Sequence, residues 1–147
     1  MAGKGNNNSI GFLEILFQAV VSASFATLVL NATASPATNL YVSLHTADPG
    51  PAGNQQTSEA AYTSYGRVAV ARTTGGWSIS GETISNVAAV TFPTATGGSE
   101  TETFAAIGLA SSGAGTLLYS GALTASLAVS NGITPSFAAG QLTITES

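Results

Sequence analysis

The stretch that decides the fold is Leu40–Gly50, which reads LYVSLHTADPG. It begins with alternation, so that Leu40, Val42 and Leu44 share one face of a strand and the residues between them share the other. Pro49 then ends the strand, because proline has no amide hydrogen and a fixed φ angle. The residues before this strand have a helical pattern, and nearly all residues after it have the pattern of short strands and turns.

Turn signals recur about every 8 to 12 residues after this strand and predict about eight or nine short strands. Residues 77–87 predict a hairpin, and Asn131-Gly132 is the strongest short hairpin signal in the chain. The phase change between Phe104 and Ile107 predicts a β-bulge. The pattern therefore predicts a mainly β fold, a jelly-roll-like antiparallel β-sandwich preceded by an N-terminal α-helix.

Three segments are expected along the chain. Residues 1–9 form a polar N-terminal arm, residues 10–38 an apolar helical segment with a linker, and residues 39–147 the β-sandwich body. Within the body, Pro49–Ala61 has no apolar period and predicts a long surface loop.

The N-terminal helix is predicted to begin at Ile10, with Ser9 as its cap. Small or polar residues at spacings of three or four, from Gly11 to Ser22, leave one narrow polar stripe on an otherwise apolar helix. A second apolar run covers Phe25–Leu30. Such a helix must be buried on most sides, so its large apolar side chains are candidate assembly contacts: Phe12, Leu13, Leu16, Phe17, Val20, Phe25 and Leu28.

Two other interpretations of this segment stay open. Residues 10–30 are about long enough to span a bilayer, and Lys4 together with Ala32–Ala34 gives the outline of a secretory signal peptide. Glu14 and Gln18 lie inside the apolar stretch, where a carboxylate is costly in lipid. We therefore expect a packed or partner-facing helix and no membrane association.

Charged side chains are scarce in this sequence. They make up 7% of its 147 residues, against roughly 25% in an ordinary soluble domain. With few ionic groups to hydrate its surface, the chain is expected to bury part of that surface against other chains. The net charge of −4 with three basic residues disfavours nucleic acid as a partner, and the lack of cysteine excludes disulfides and thiolate catalysis.

The polar residues do not predict an enzyme. Ser43, His45 and Asp48 could be drawn as a hydrolytic triad, but no nucleophile elbow or second base accompanies them. Glu100 and Glu102 share one face of an extended segment and could bind a cation such as calcium, yet no loop with ligand spacing is present. We expect no catalysis, no cofactor and no metal, and a solvated strand start at the two glutamates.

Five aromatic residues could line a sugar-binding site. In a β-sandwich such scattered aromatics are more often part of the core or of an interface, which is the expectation for this set: Tyr41, Tyr62, Tyr65, Trp77 and Tyr119.

Five segments of the chain, in this order, resemble a family of tailed-bacteriophage virion proteins: Leu40–Gly50, Tyr65–Arg72, Val90–Gly97, Leu117–Leu123 and Pro135–Thr145. Members of that family are often labelled tail fibre proteins, and some look like capsid cement, or decoration, proteins. This chain departs from the family in having a longer and more apolar segment, Phe12–Leu30, before the first strand.

The resemblance implies a non-enzymatic structural protein. We expect a capsid cement protein that forms a homotrimer on the outer surface of the icosahedral head and binds the major capsid protein. Binding only the assembled shell would stabilise the contacts between capsid subunits by mass action. The alternative is a tail fibre or tail-tip component whose tyrosines and Pro49–Ala61 loop contact host glycan, and a secreted bacterial β-domain is a third class.

Overall fold

A computed structural model describes residues 6–20 and 37–146. Within these ranges the chain forms one α-helix, a π-helical turn and nine strands. They are α1 (Asn6–Leu13), the π-helical turn Glu14–Gln18, β1 (Asn39–His45), β2 (Val68–Ala71), β3 (Trp77–Ser80), β4 (Thr83–Asn86), β5 (Val90–Thr91), β6 (Ser99–Gly108), β7 (Leu117–Ser130), β8 (Ser136–Phe137) and β9 (Thr143–Thr145).

The chain divides into two compact units, each built from separate stretches of sequence. The first unit combines the N-terminal helix with β3, β4 and β9, in residues 1–38, 71–89 and 138–147. The second unit holds the two remaining sheets, in residues 39–70 and 90–137. The three segments predicted from the sequence are not tested by this division and stay a prediction.

The largest sheet of the second unit has the strand order β2-β1-β6-β7. β1 runs antiparallel to β6, with Tyr41 opposite Gly108 and His45 opposite Phe104. The side chains of Leu40, Val42 and Leu44 are buried, as the alternation predicts. Ser43 and His45 on the other face are buried as well, so the later half of β1 is covered on both faces.

The pairing of β6 with β7 contains a large irregularity. Glu102 lies opposite Leu127, and Phe104 lies opposite Ala122. Four residues of β7, Leu123–Ser126, therefore face the single residue Thr103, and this segment must protrude from the ladder. The bulge was predicted between Phe104 and Ile107, where the pairing is regular. The irregularities flank that stretch, one at Thr103 and one between Ile107 and Gly108.

The prediction of a hairpin at Asn131-Gly132 is wrong. The chain does turn there, with Gly132 at a φ of 88°. The strand that follows, β8, pairs antiparallel with β5, with Val90 opposite Phe137. The turn chemistry was interpreted correctly, but the two flanking strands have different partners, because pairing is decided by packing elsewhere in the chain.

The sheet of the first unit has the order β3-β4-β9. β3 and β4 form the predicted hairpin, with Trp77 opposite Asn86 and Gly81 at a φ of 60° in the turn. β9 adds to the free edge of β4, with Ile84 opposite Ile144. A residue near the end of the chain is thereby built into the same sheet as the hairpin.

The N-terminal helix differs from its prediction at both ends. α1 begins at Asn6, so Ser9 lies inside the helix with a buried hydroxyl and is not its cap. The helix widens into the π-helical turn and ends at Ala19, which has a φ of 56°. The second apolar run, Phe25–Leu30, lies outside the described residues.

The mainly β, antiparallel fold with a short N-terminal helix is confirmed. The separate sheets are compatible with a sandwich, and the jelly-roll strand order stays a prediction. None of the helices in residues 6–20 and 37–146 has the length and apolar character needed to cross a membrane.

Candidate assembly surface

Two of the predicted assembly contacts belong to the core of the first unit. The side chains of Leu13 and Phe17 are both 0% exposed. The Phe17 ring meets the indole of Trp77 edge-on, with ring centroids 4.8 Å apart, and the Gln18 side-chain amide donates to the Trp77 carbonyl at 3.0 Å. These side chains therefore hold the N-terminal segment to β3 within one copy of the chain.

Other predicted contacts are open to solvent. Phe12 is 42% exposed and Val20 is 43% exposed, while Leu16 is half-buried. Phe25 and Leu28 lie outside the described residues. Of the described candidates, Phe12 and Val20 are the side chains that a partner could reach without unfolding the first unit.

Arg72 fixes the C-terminal end of the helical segment. Its Nε donates to the Leu16 carbonyl at 2.6 Å, Nη2 donates to the Ile15 carbonyl, and Nη1 donates to the Ala37 carbonyl at 3.1 Å. Carbonyls in the last turn of a helix lack partners within the helix, and the negative end of the helix dipole attracts a cation. One side chain thus satisfies main-chain groups from two separate segments.

The loop predicted over Pro49–Ala61 is a surface loop of the second unit that is anchored by a buried side chain. The Gln55 side chain is 0% exposed. It donates to the Tyr41 carbonyl at 3.2 Å and accepts from the Ala110 amide at 2.9 Å. A buried amide with both ends paired secures the loop, because removing either partner would leave a buried polar group unsatisfied.

Ser43 and His45 form a buried pair within the same loop network. A carbonyl can only accept, so His45 Nδ1 donates to the Thr57 carbonyl at 2.8 Å, and Nε2 accepts from the Ser43 hydroxyl at 2.9 Å. Both side chains are 0% exposed, and burial lowers the pKa of His45. Asp48 is not part of this pair and instead accepts from the Gly50 amide at 2.9 Å.

An ion pair ties the same loop to the residues that follow it. Arg67 Nε and Nη2 donate to the two carboxylate oxygens of Glu59 at 2.6 and 2.7 Å. The Tyr65 hydroxyl donates to Glu59 at 3.0 Å and accepts from the Leu44 amide at 3.1 Å. Arg67 also donates to the Ala110 carbonyl at 2.9 Å. This bidentate arrangement holds three segments of the second unit in one position.

The two glutamates of β6 have different environments, so the expectation of a solvated strand start is wrong for one of them. Glu100 accepts from the amides of Ala61 and Tyr62 at 2.8 and 2.7 Å. Glu102 is 0% exposed, and neither carboxyl oxygen has a hydrogen-bond partner in the described parts of the chain. Burial, together with the neighbouring Glu100 carboxyl, raises the pKa of Glu102 to about 8.

No group of three or more His, Asp or Glu side chains that could hold a metal ion occurs among the residues that the structure describes. The five aromatic side chains are also not arranged on one open surface. Trp77 and Tyr62 are buried, whereas Tyr41, Tyr65 and Tyr119 are half-buried. The positions agree with a role in the core or in an interface.

The longest open feature of the second unit is the outer edge of β7. β7 is the last strand in its sheet, and within residues 6–20 and 37–146 no strand pairs with its outer edge. Many of its side chains are small and exposed: Ser120, Gly121, Ala122, Thr124, Ala125, Ser126 and Ala128. We name the part of this edge that precedes the protruding segment, Leu117–Ala122, the β7 edge.

Sequence reasoning did not predict this surface. A readable signal was present, because residues 103–145 contain no Asp, Glu, Lys, Arg or His. Every charged residue of the second unit precedes Thr103. A strand that is both exposed and uncharged differs from the usual solvent-facing strand and is typical of a contact surface.

A family model described as "Podophage GP4 fiber I protein gp80" matches residues 18–145. The chain belongs to this family. It is therefore a phage structural protein and a component of the virion, in agreement with the resemblance noted in the sequence. No curated protein matches the chain.

The match with the gp80 family covers all nine strands, including the β7 edge. It begins at Gln18, so α1 lies before the matched residues. The predicted contacts from Phe12 to Phe17 are thus outside the part of the chain that resembles the family. Features common to the family are to be sought in the strands and their loops.

Proposed function

We propose that this chain is a non-enzymatic structural subunit of the phage fibre that assembles as a homotrimer. The observation that supports this most is the combination of the fibre-family match over residues 18–145 with a long, uncharged, exposed edge strand. A fibre is built from repeated contacts between identical chains, and such contacts need surfaces that lose little hydration when they are buried.

The buried polar groups support a structural function. The Ser43–His45 pair is fully enclosed, and the imidazole is held by a main-chain carbonyl. A nucleophile must reach its substrate, so this pair serves best as a link between β1 and the loop that carries Thr57. The Glu59–Arg67 ion pair also serves a structural purpose, since it links the loop that carries Glu59 to the segment that carries Arg67.

The proposal assigns contact to other virion proteins and not recognition of host glycan. Sugar-binding sites usually present an open aromatic face, whereas Trp77 and Tyr62 are 0% and 3% exposed. The loop Pro49–Ala61, which the alternative function would use, is held by Gln55 and Glu59. A rigid loop with its polar groups paired is better suited to supporting a subunit than to adapting to a ligand.

A second candidate function is a capsid cement protein on the outer surface of the head. It is favoured by the low content of charge, because 7% charged residues permits close, dry contacts with a shell. In that case the partner is the major capsid protein, and binding stabilises the assembled head by mass action.

Localisation on intact virions tests both candidates. Antibody or tag labelling followed by electron cryotomography should place a fibre subunit at discrete appendages in few copies. Labelling distributed over the head in many copies would overturn the fibre proposal and establish the cement function. Absence of the chain from purified virions would contradict both candidate functions.

The contribution of the N-terminal segment to assembly is tested by a substitution and not by a deletion. Removing residues 1–30 would take Leu13 and Phe17 out of the first unit's core, so loss of assembly would have two explanations. Val20→Asp changes an exposed side chain and leaves this core intact. Normal incorporation of the V20D protein into virions would exclude Val20 as an assembly contact.

A further inference from the structure

We propose that Asn131 is a latent site of spontaneous deamidation, which the folded chain keeps closed by a hydrogen bond from the Gly132 amide to the Ala95 carbonyl. Asn131-Gly132 is the one Asn-Gly pair in the sequence. The inference concerns the lifetime of the chain in a virion, where a subunit is not replaced after assembly. It does not depend on whether the virion site is a fibre or the head.

An asparagine that is followed by glycine is prone to a reaction with its own backbone. The nitrogen of the glycine loses its proton to water or hydroxide and attacks the carbon of the side-chain amide, so that an N–C bond forms and ammonia leaves. Water then opens the resulting succinimide ring to aspartate or isoaspartate. Glycine favours the first step because it has no side chain to obstruct ring closure.

Burial does not protect this pair of residues. Asn131 and Gly132 are both exposed in the turn that follows β7. A Cβ atom added at Gly132 would meet nothing within 4 Å, so the turn is not crowded by the packing around it. Water reaches both reacting groups, and protection has to come from the bonding of the glycine nitrogen itself.

Main-chain hydrogen bonds provide that protection. The Gly132 amide donates to the Ala95 carbonyl at 2.8 Å, and the Ala95 amide donates to the Ile133 carbonyl at 2.8 Å. The Ile133 amide donates to the Ser130 carbonyl at 3.0 Å and closes the turn. Ala95 is 1% exposed, so its carbonyl is a fixed partner. A nitrogen whose hydrogen is held in this way cannot release it to water and attack the side chain.

Local opening of the turn therefore controls the reaction. The product adds a negative charge within residues 103–145, which carry none in the unmodified chain. Isoaspartate also routes the main chain through the former side chain and lengthens it. Both changes oppose the return of Gly132 to Ala95, so a single opening that leads to reaction alters the turn permanently.

Peptide mass spectrometry measures the reaction directly. The full chain is incubated at mildly alkaline pH, either folded in buffer or unfolded in urea, and digested with chymotrypsin. In the peptide 128–137, Asn131 is the only residue with a side-chain amide, so a mass gain there reports its deamidation. The rate should be at least about tenfold lower in the folded chain, because reaction waits for local opening. Hydrogen exchange of the Gly132 amide, followed by NMR, needs the same opening and should be slowed by a similar factor.

Thr134→Ala loosens the turn without changing the two reacting residues. The hydroxyl oxygens of Thr134 and Thr94 lie 2.7 Å apart and join the segment after the turn to the segment that carries Ala95. T134A should speed deamidation of the folded chain by the same factor as Gly132 exchange and leave the rate in urea unchanged. The matched control is Thr124→Ala, which removes an exposed hydroxyl from β7 and should behave like wild type.

Three results would overturn the proposal. Equal rates in the folded and unfolded chains would show that the contact with Ala95 does not protect Asn131. No mass gain in urea would show that Asn131 is not a deamidation site. Faster Gly132 exchange in T134A without faster deamidation would show that another feature of the turn limits the reaction. If T134A changes neither rate, the comparison of deamidation with Gly132 exchange in the wild-type chain decides.

Discussion

Arg72 Nε donates to the Leu16 carbonyl at 2.6 Å, and this contact holds the end of the N-terminal helical segment within the first unit. The other guanidinium nitrogens donate to Ile15 and Ala37. Ala19, in the left-handed conformation, ends the π-helical turn with its amide donating to the Glu14 carbonyl, and the arginine fork adds partners for the next two carbonyls. Arg72 lies between β2 and β3, so its side chain ties the helical segment to the chain just before the β3–β4 hairpin.

Replacing Arg72 by methionine should lower the free energy of unfolding by about 1.5–3 kcal/mol, because hydrogen bonds to a charged group are lost and carbonyls are left unpaired. Urea unfolding followed by the fluorescence of Trp77, the one tryptophan in the sequence, measures the change. Arg72→Lys is the matched control. It keeps the charge but not the fork, and it should recover only part of the loss. Equal stability of R72M and wild type would contradict this function for Arg72.

The Glu59–Arg67 ion pair should be strongly coupled. Their side chains are 14% and 1% exposed, so removing one partner leaves a charge with little access to water. Glu59→Gln alone should destabilise the chain by about 3–5 kcal/mol, and Arg67→Met alone by a similar amount. The double variant should be more stable than the sum of these losses predicts. A double-mutant cycle by urea unfolding provides the coupling energy, and a value near zero would show that the pair is solvated.

Glu102 should lower the free energy of unfolding as the pH rises. Its pKa rises from 4.5 to about 8 on folding, so the folded chain binds more protons than the unfolded chain between these values. The stabilisation is complete below pH 4.5 and is lost as the pH rises to about 8, with a slope of at most about 1.4 kcal/mol per pH unit.

Glu102→Gln removes this titration and provides the measurement. The difference in unfolding free energy between E102Q and wild type should shift in favour of E102Q as the pH rises from 5 to 8.5. Other titrating groups, including His45, cancel in the difference. Parallel pH curves for the two proteins would mean that Glu102 is ionised in the fold at neutral pH.

Asn86 should control the attachment of β9. Its side-chain nitrogen donates to the Ala88 and Ala138 carbonyls at 2.8 and 2.9 Å, and its side-chain oxygen accepts from the Leu142 amide at 2.9 Å. Asn86→Ala should expose residues 138–146 to proteolysis and lower the unfolding free energy by about 2–3 kcal/mol.

Asn86→Asp separates the two kinds of contact. It keeps the acceptor for Leu142 but loses both donors, so it should release the chain near Ala138 more than β9 itself. Hydrogen exchange resolved by peptide gives this comparison. Unchanged exchange in residues 138–146 of the N86A protein would show that main-chain pairing with β4 is sufficient.

The parts of the fold that depend on local chemistry could be predicted from sequence. The β3–β4 hairpin follows from alternation on both sides of Gly81, whose φ of 60° suits glycine. The end of β1 before Pro49 follows from proline geometry. These signals act over a few residues, so they do not depend on the rest of the chain.

The parts that were missed depend on distant partners. Asn131-Gly132 turns as its residues require, yet β8 pairs with β5 because the sheet and not the turn selects the partner. Gln55 has no apolar period around it, and only Tyr41 and Ala110 reveal that its loop is fixed. The candidate surface was missed for the same reason, since an edge strand is defined by which neighbour it lacks.

The sheet of the first unit joins β4 to β9, so residues 83–85 are paired with residues 143–145. On the ribosome, β4 emerges long before β9 is synthesised. All the strands of the second unit precede β9 in the sequence, so they have been made by the time β9 is synthesised. The second unit can therefore fold during translation, and the first can close only after residues 143–145 have been synthesised. A prematurely terminated product would keep the β7 edge but leave β4 with an open side, which gives cellular proteases a means to remove it before it enters a virion.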